Sequence, residues 1–165
     1  MSANKNRPHI LILPEDDANG DIANGFVLAL TQNTRAVQVL ESAGGWLKLV
    51  DEFRSAHIAA VSKYESRHMV LLVDFDRHED RRARVQEAIP GPLADRVFVL
   101  GVLSEPEELR KAGLGTFEEM GRSLARECRE NTADTWSHEL LKHNGGELKR
   151  MAPVLRPILF PNEPH

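Results

Sequence analysis

The chain has 165 residues, 41% hydrophobic and 28% charged, with 21 basic side chains against 25 acidic and a net charge of −4. That length suits one domain burying about 70% of its unfolded surface, and the composition excludes collagenous, low-complexity and disordered chains. No apolar run nears the roughly 18 residues that span a bilayer, MSANKNRP lacks the apolar stretch of a secretory signal, and the single cysteine excludes internal disulfides and Cys-rich zinc sites, which places the protein in a reducing cytoplasm.

His9-Ile10-Leu11-Ile12-Leu13, closed by Pro14, is a continuous apolar run of the kind found in strands covered on both faces. Arg35 to Leu40 alternates and predicts a second strand with one face less buried. After Gly44-Gly45, a stripe of Trp46, Leu49, Val50, Phe53, His57, Ala60, Val61 and Tyr64 predicts one long helix. His68 to Val73 is the third strand, closed by Asp74, and residues 77–89 form a charged helix held by Val85 and Ile89. Val97 to Leu103 is the fourth strand. Phe117, Met120, Leu124 and Cys128 stripe a further helix, on which Cys128 is an inert buried thiol, and Thr116 with Glu119 has capping-box spacing. A last helix starts at Trp136 and stops at Gly145-Gly146. Pro153, Pro157 and Pro161 then punctuate a tail whose Ile158-Leu159-Phe160 adds an edge strand or docks on the surface. Strands alternating with helices predict an α/β, three-layer Rossmann-like fold: a mainly parallel sheet with helices on both faces, in a single domain over 1–165.

Acids cluster at the predicted strand ends. Glu15, Asp16 and Asp17 follow the first strand, Asp74, Asp76, Glu79 and Asp80 the third, and Glu105, Glu107 and Glu108 the fourth. All C-terminal ends of a parallel sheet share one edge, where open α/β sheets bind ligands, so the clusters converge. Converged carboxylates raise one another's pKa unless a cation sits among them, and oxygen ligands suit Mg²⁺ or Mn²⁺. Asp16, Asp17 and Glu79 read as helix caps; Glu15, Asp74 and Asp76 read as a metal or active site, since a cap needs one acid.

Ile10-Leu11-Ile12-Leu13-Pro14-Glu15 and Leu71-Leu72-Val73-Asp74-Phe75-Asp76 resemble the Glu and Asp-x-Asp elements of the TOPRIM fold, and within it the OLD-type nucleases and small standalone domains. The Gly44-Gly45 turn after Val37-Gln38-Val39-Leu40 matches as well, and the resemblance covers about residues 9–112, leaving 113–165 as a helical extension and Pro-rich tail. Asp16 departs from the family, which often has Gly there. The resemblance implies catalysis of phosphodiester cleavage by Glu15, Asp74 and Asp76. It implies Mg²⁺ or Mn²⁺ bound by these three with Asp80, Glu105 and Glu108, and Glu15 as a ligand or general acid/base. It further implies a nucleic-acid partner, DNA ahead of RNA. With no ATPase domain in this sequence, a motor or sensor would be a partner protein, as in a larger bacterial, even antiviral, system. A functional lysine late in the family's domain falls on Lys142 or Lys149.

Two other classes fit parts of the pattern. Leu13-Pro14-Glu15-Asp16-Asp17 resembles the acidic pair of receiver domains, with Asp74 as phospho-acceptor and Ser104 after the fourth strand; against it stand the long interval to Asp74 and the missing Lys after a fifth strand. A catalytically inactive interaction domain would dock partners through the tail at Phe160. His138-Glu139-Leu140-Leu141-Lys142-His143 is one residue too long for a zinc motif, since five helical steps of about 100° set the rings about 140° apart.

Arg77, Arg81, Arg82 and Arg84 admit two roles: a solvated face paired to Glu79, Asp80 and Glu87, each exposed pair worth about 0–1 kcal/mol, or phosphate-backbone contacts for which Arg77, Arg81 and Arg82 stand beside the acids. With the strand-end acids set aside, bases outnumber acids in the remaining chain. The net charge therefore averages an acidic pocket and a basic body, and is compatible with a phosphate-rich substrate.

Overall fold

A computed structural model describes residues 3–165; Met1 and Ser2, part of the segment read for a signal, lie outside the described residues. Four strands, β1 (His9–Pro14), β2 (Val37–Val39), β3 (Arg67–Leu72) and β4 (Val97–Leu100), form an all-parallel sheet in the order β2-β1-β3-β4. Ile12 pairs with Val39 on one side and Val70 on the other. The strand order reverses between β1 and β3, so the crevice of this fold class opens where Glu15 and Asp74 leave the sheet.

The apolar strands alternate their side chains between two covered faces. Leu11, Leu13, Met69, Leu71, Val97 and Val99 meet α2 (Trp46–Glu52), α3 (Ile58–Lys63) and α4 (Arg81–Gln86) through Leu49, Val61 and Val85, with Phe53 packed between α2 and α3. Ile10, Ile12, Val70, Phe98 and Leu100 meet α1 (Asp17–Leu28) and α7 (Gly145–Leu159). The molecule is thus a three-layer α/β fold, completed by α5 (Pro106–Lys111) and α6 (Phe117–Glu130). No helix among the described residues is long and apolar enough to cross a membrane.

Several elements differ from expectation for local reasons. The helix predicted over 46–64 is broken by a π-turn at Phe53–His57, which inserts a residue and shifts the phase of the stripe after fully buried Phe53. The second strand starts late, after a 3₁₀ turn at Thr34–Ala36, and the helix expected over 77–89 is reduced to α4. The fourth strand ends at Leu100, although its continuation still accepts from β3's loop: Phe75 N–H donates to Val102 O at 3.0 Å.

The largest correction is C-terminal. Residues 133–141 form turns, and Gly145-Gly146 starts a helix instead of stopping one. That helix runs through Pro153 and Pro157 because both face solvent, where the carbonyls freed by their missing N–H groups meet water. Ile158, Leu159 and Phe160 are buried in the second-face core, so they form neither an edge strand nor a docking tail. Inside, the Glu147 carboxylate accepts from Val99 N–H at 2.7 Å and pairs with Arg150 at 2.7 Å, tying the helix to β4.

The cap on α6 is as expected: Thr116 Oγ1 accepts from Glu119 N–H at 3.1 Å. Replacing Thr116 with alanine should cost about 1 kcal/mol, read as a lowered midpoint in urea with an unchanged m-value.

Candidate active site

The first strand delivers Glu15 and Asp16 at the crevice, and the third delivers Asp74. Glu15 is 9% exposed and its Oε2 accepts from Asp74 N–H at 2.5 Å, bridging the two strand ends. Its backbone carbonyl accepts from Gly44 N–H at 2.8 Å and Gly45 N–H at 3.1 Å. Those two residues have φ of 88° and 137°, open to glycine and strained for any side chain. The Gly-Gly turn expected from sequence thus clamps the residue at its centre.

Asp16 caps α1, accepting from Asn19 N–H at 3.0 Å. The cap reading holds, and the same side chain belongs to the site. Asn19 Nδ2 donates to Asp16 Oδ1 and to Asp74 Oδ1, both at 3.0 Å, so one buried amide holds two carboxylates together. Asp74 is 8% exposed. Burial, reinforced by the hydrogen-bonded and charged Asp16, pushes its carboxyl up to about 9. Burial raises Glu15 too, with Asp16 adding and the N–H of Asp74 and the charge of Arg81 opposing. Asn19 was not singled out from sequence; the signal was an Asn three residues after an acid at a helix start, which looks like ordinary capping.

Asp76 is exposed at φ 50° and is followed by Arg77 at φ 57°, two left-handed non-glycine residues in succession. Hydrogen bonds from Asp76 N–H to Ser104 O and Arg77 N–H to Leu103 O hold that conformation against its cost. Asp80 is exposed before α4; Glu105 is exposed at the start of α5, and Glu108 pairs with Lys111 at 3.3 Å. The structure does not gather these acids: among the described residues, no group of three or more His, Cys, Asp or Glu side chains is placed to hold a metal ion. The convergent pair is Asp16 with Asp74, backed by Glu15.

The basic residues divide. Arg77 projects from the exposed loop. Arg81 donates to Asp74 O at 2.8 Å and stacks 4.9 Å over Trp46, bracing the loop. Arg82 is turned inward, donating to Val99 O and Asn144 Oδ1 at 2.6 Å each and lying 4.7 Å over Phe75. This corrects the expectation that Arg82 faces a phosphate backbone: its guanidinium is turned inward and bonded to β4 and to Asn144, the residue before α7. Lys142 pairs with Glu139 at 2.9 Å, and Lys149 is exposed on α7; both border a second-face cavity. His143 packs edge-on to Phe75 and bonds Gly101 O at 2.8 Å, a structural role. Cys128 is pushed by burial to about 11 and stays a thiol.

The chain matches no protein-family model, no curated protein and no solved structure.

Proposed function

We propose that the chain is a TOPRIM-like, Mg²⁺-dependent nuclease domain that hydrolyses phosphodiesters at the crevice between β1 and β3. The observation that supports this reading is the juxtaposition of Asp16 and Asp74, held by one amide, Asn19, at the sheet edge where strand order reverses. Two carboxylates fit Mg²⁺ or Mn²⁺, which sites of this kind hold by one or two carboxylates, with water and substrate phosphate completing the shell. Asp74 and Asp16 would hold the ion and Asp76 stands on the adjoining loop; when bound, the ion supplies Lewis-acid polarisation of the phosphodiester.

The chain's own groups divide the remaining work. Asn19 fixes the spacing of the two carboxylates, and Glu15 anchors the backbone of Asp74. Burial of Glu15 suits a group that holds or passes a proton. Arg77, exposed on the loop beside Asp76, would meet the backbone of a nucleic acid, DNA ahead of RNA. A partner protein would supply an ATPase, sensor or targeting step, and the setting would be a cytoplasmic defence or processing system.

The test is nicking of supercoiled DNA by the purified chain, which should require Mg²⁺ or Mn²⁺ and stop with chelator. Arg77→Glu should weaken DNA binding about tenfold at low salt and flatten its salt dependence. Absence of nicking with both ions, on DNA and on RNA, rejects the reading.

One observation favours a receiver-like alternative: Ser104, 7% exposed after β4, has an Oγ with no hydrogen-bond partner, and in such domains a hydroxyl there meets a phosphoryl group on the acceptor Asp. No fifth strand bearing a lysine is present among the described residues. Beryllofluoride binding at Asp74 by a chain that cuts no nucleic acid would select this alternative.

A further inference from the structure

The second face of the sheet is not fully closed. A cavity of about 510 Å³ lies over it, within the about 300–1,000 Å³ typical of small-molecule sites. Its floor is Ile10, Ile12, Val70, Leu72 and Leu100, and its walls include Phe26, Leu124, Trp136, Met151 and Leu155. The opening follows from how the helices are tethered. Gly25 and Gly121 let α1 and α6 meet backbone to backbone, since a Cβ on Gly121 would lie 2.0 Å from Ile22 O. Helix α7 is instead bound to β4 by Glu147 and Arg150 at its start, and to the turn before β2 by Asn33, which donates to Ile158 O at 2.6 Å. Held at both ends by polar bonds, α7 cannot slide across to fill the gap. Protein interiors close-pack, so an aliphatic space this large has the form of a ligand site.

The charge around it selects the ligand. Glu127 is the one acid on its lining, and it is 1% exposed with its carboxylate occupied by Thr135: Oε1 accepts from the backbone N–H at 2.6 Å and Oε2 from the hydroxyl. The cations are Lys142, Lys149 and Arg156. Lys142 is neutralised by Glu139, whereas Lys149 and Arg156 form no ion pair among the described residues. Among the described residues, Arg156 donates only to the carbonyls of Cys128 and Arg129. Cations outnumber acids on this lining, and an apolar interior with an excess of positive charge at its border matches one long chain ending in an anion.

We propose that this cavity binds a single-chain fatty carboxylate, its alkyl tail laid along Ile10, Val70 and Leu100 and its carboxylate at Lys149 and Arg156. Trp136 on the wall is a built-in reporter, because Trp46, the other of two tryptophans, packs on the opposite face of the sheet.

The test titrates the full chain carrying Trp46→Phe with monomeric dodecanoate, following Trp136 emission and, independently, heat of binding. One-to-one saturation with a raised Tm is expected. Ala152→Phe, which fills the cavity, should weaken binding at least tenfold, with Ala23→Leu as the second filling variant should the first fail to fold. Lys149→Glu should weaken dodecanoate several-fold and leave the Trp46→Phe fold intact, and dodecylammonium should bind at least tenfold more weakly than dodecanoate. Absence of saturation by both readouts overturns the proposal, as does a folded filling variant that binds like its parent. Equal affinity for the alkylammonium overturns the head-group assignment, and a dimer that covers Trp136 assigns the face to a second copy instead.

Discussion

Asp74→Asn is expected to stabilise the cation-free chain while abolishing Mg²⁺-dependent nicking. The carboxyl of Asp74 is buried and shares Asn19 with Asp16, so the folded chain favours its protonated form, with the pKa pushed up to about 9. The unfolded chain releases the same proton near 3.9. Between those values the folded state binds more protons, so stability is greatest below pH 4 for this group and falls as pH rises toward 9. Asparagine removes the penalty: its Oδ1 still accepts from Asn19, and its amide can donate to Asp16. At pH 8 the gain should be about 1–3 kcal/mol, or about 2–4 °C of Tm for each kcal/mol in a chain of this size. Melts in chelator across pH 4–8 should show the two proteins converging at the acid end and separating toward pH 8. Mg²⁺ should then raise the Tm of the parent alone. A variant no more stable than its parent at pH 8 would show that the carboxylates do not oppose one another, and a variant that nicks DNA would remove Asp74 from the chemistry.

The features legible in the sequence are those set by neighbours along the chain. Ile10 to Leu13 and Met69 to Val73 are apolar without interruption, and only a strand covered on both faces hides such a run. Glu15 and Asp74 follow those runs, so a parallel sheet brings them to one edge whatever the helices do. What was not legible depends on contacts across the fold. Gly145-Gly146 carries the composition of a stop; it becomes a start because Asn144 is anchored to Gly101, accepting from its N–H at 3.1 Å and donating to its carbonyl at 2.8 Å. Arg82 sits in a charged run that looks solvated, yet the gap between β4 and α7 draws it inside. Asp16 reads as a cap and is one, but its second role, sharing the Asn19 amide with Asp74, appears only when β3 sets Asp74 against Asn19.

Gly121→Ala and Gly146→Ala should move stability in opposite directions, although both replace glycine within a helix. Intrinsic preference favours alanine by about 1 kcal/mol. At Gly146 a Cβ meets nothing within 4 Å, so the variant should gain up to about 1 kcal/mol. At Gly121 a Cβ would lie 2.0 Å from Ile22 O and 2.6 Å from Phe26 N, both backbone atoms of α1 that no rotamer change can clear. Helices α1 and α6 must therefore separate, losing contact around Gly25, whose own Cβ position lies 2.2 Å from Glu118 O. We expect a loss of about 2–4 kcal/mol, above the usual cost of overpacking because backbone has to give. The displacement also reaches the crevice, since α1 begins at the residue after Asp16 and carries Asn19 in its first turn. Gly121→Ala should accordingly weaken Mg²⁺-induced stabilisation beyond its effect on folding, whereas Gly146→Ala leaves it unchanged. Denaturant midpoints with and without Mg²⁺ separate the two effects: equal stability changes in the two variants would mean that α1 and α6 do not approach as closely as their glycines permit.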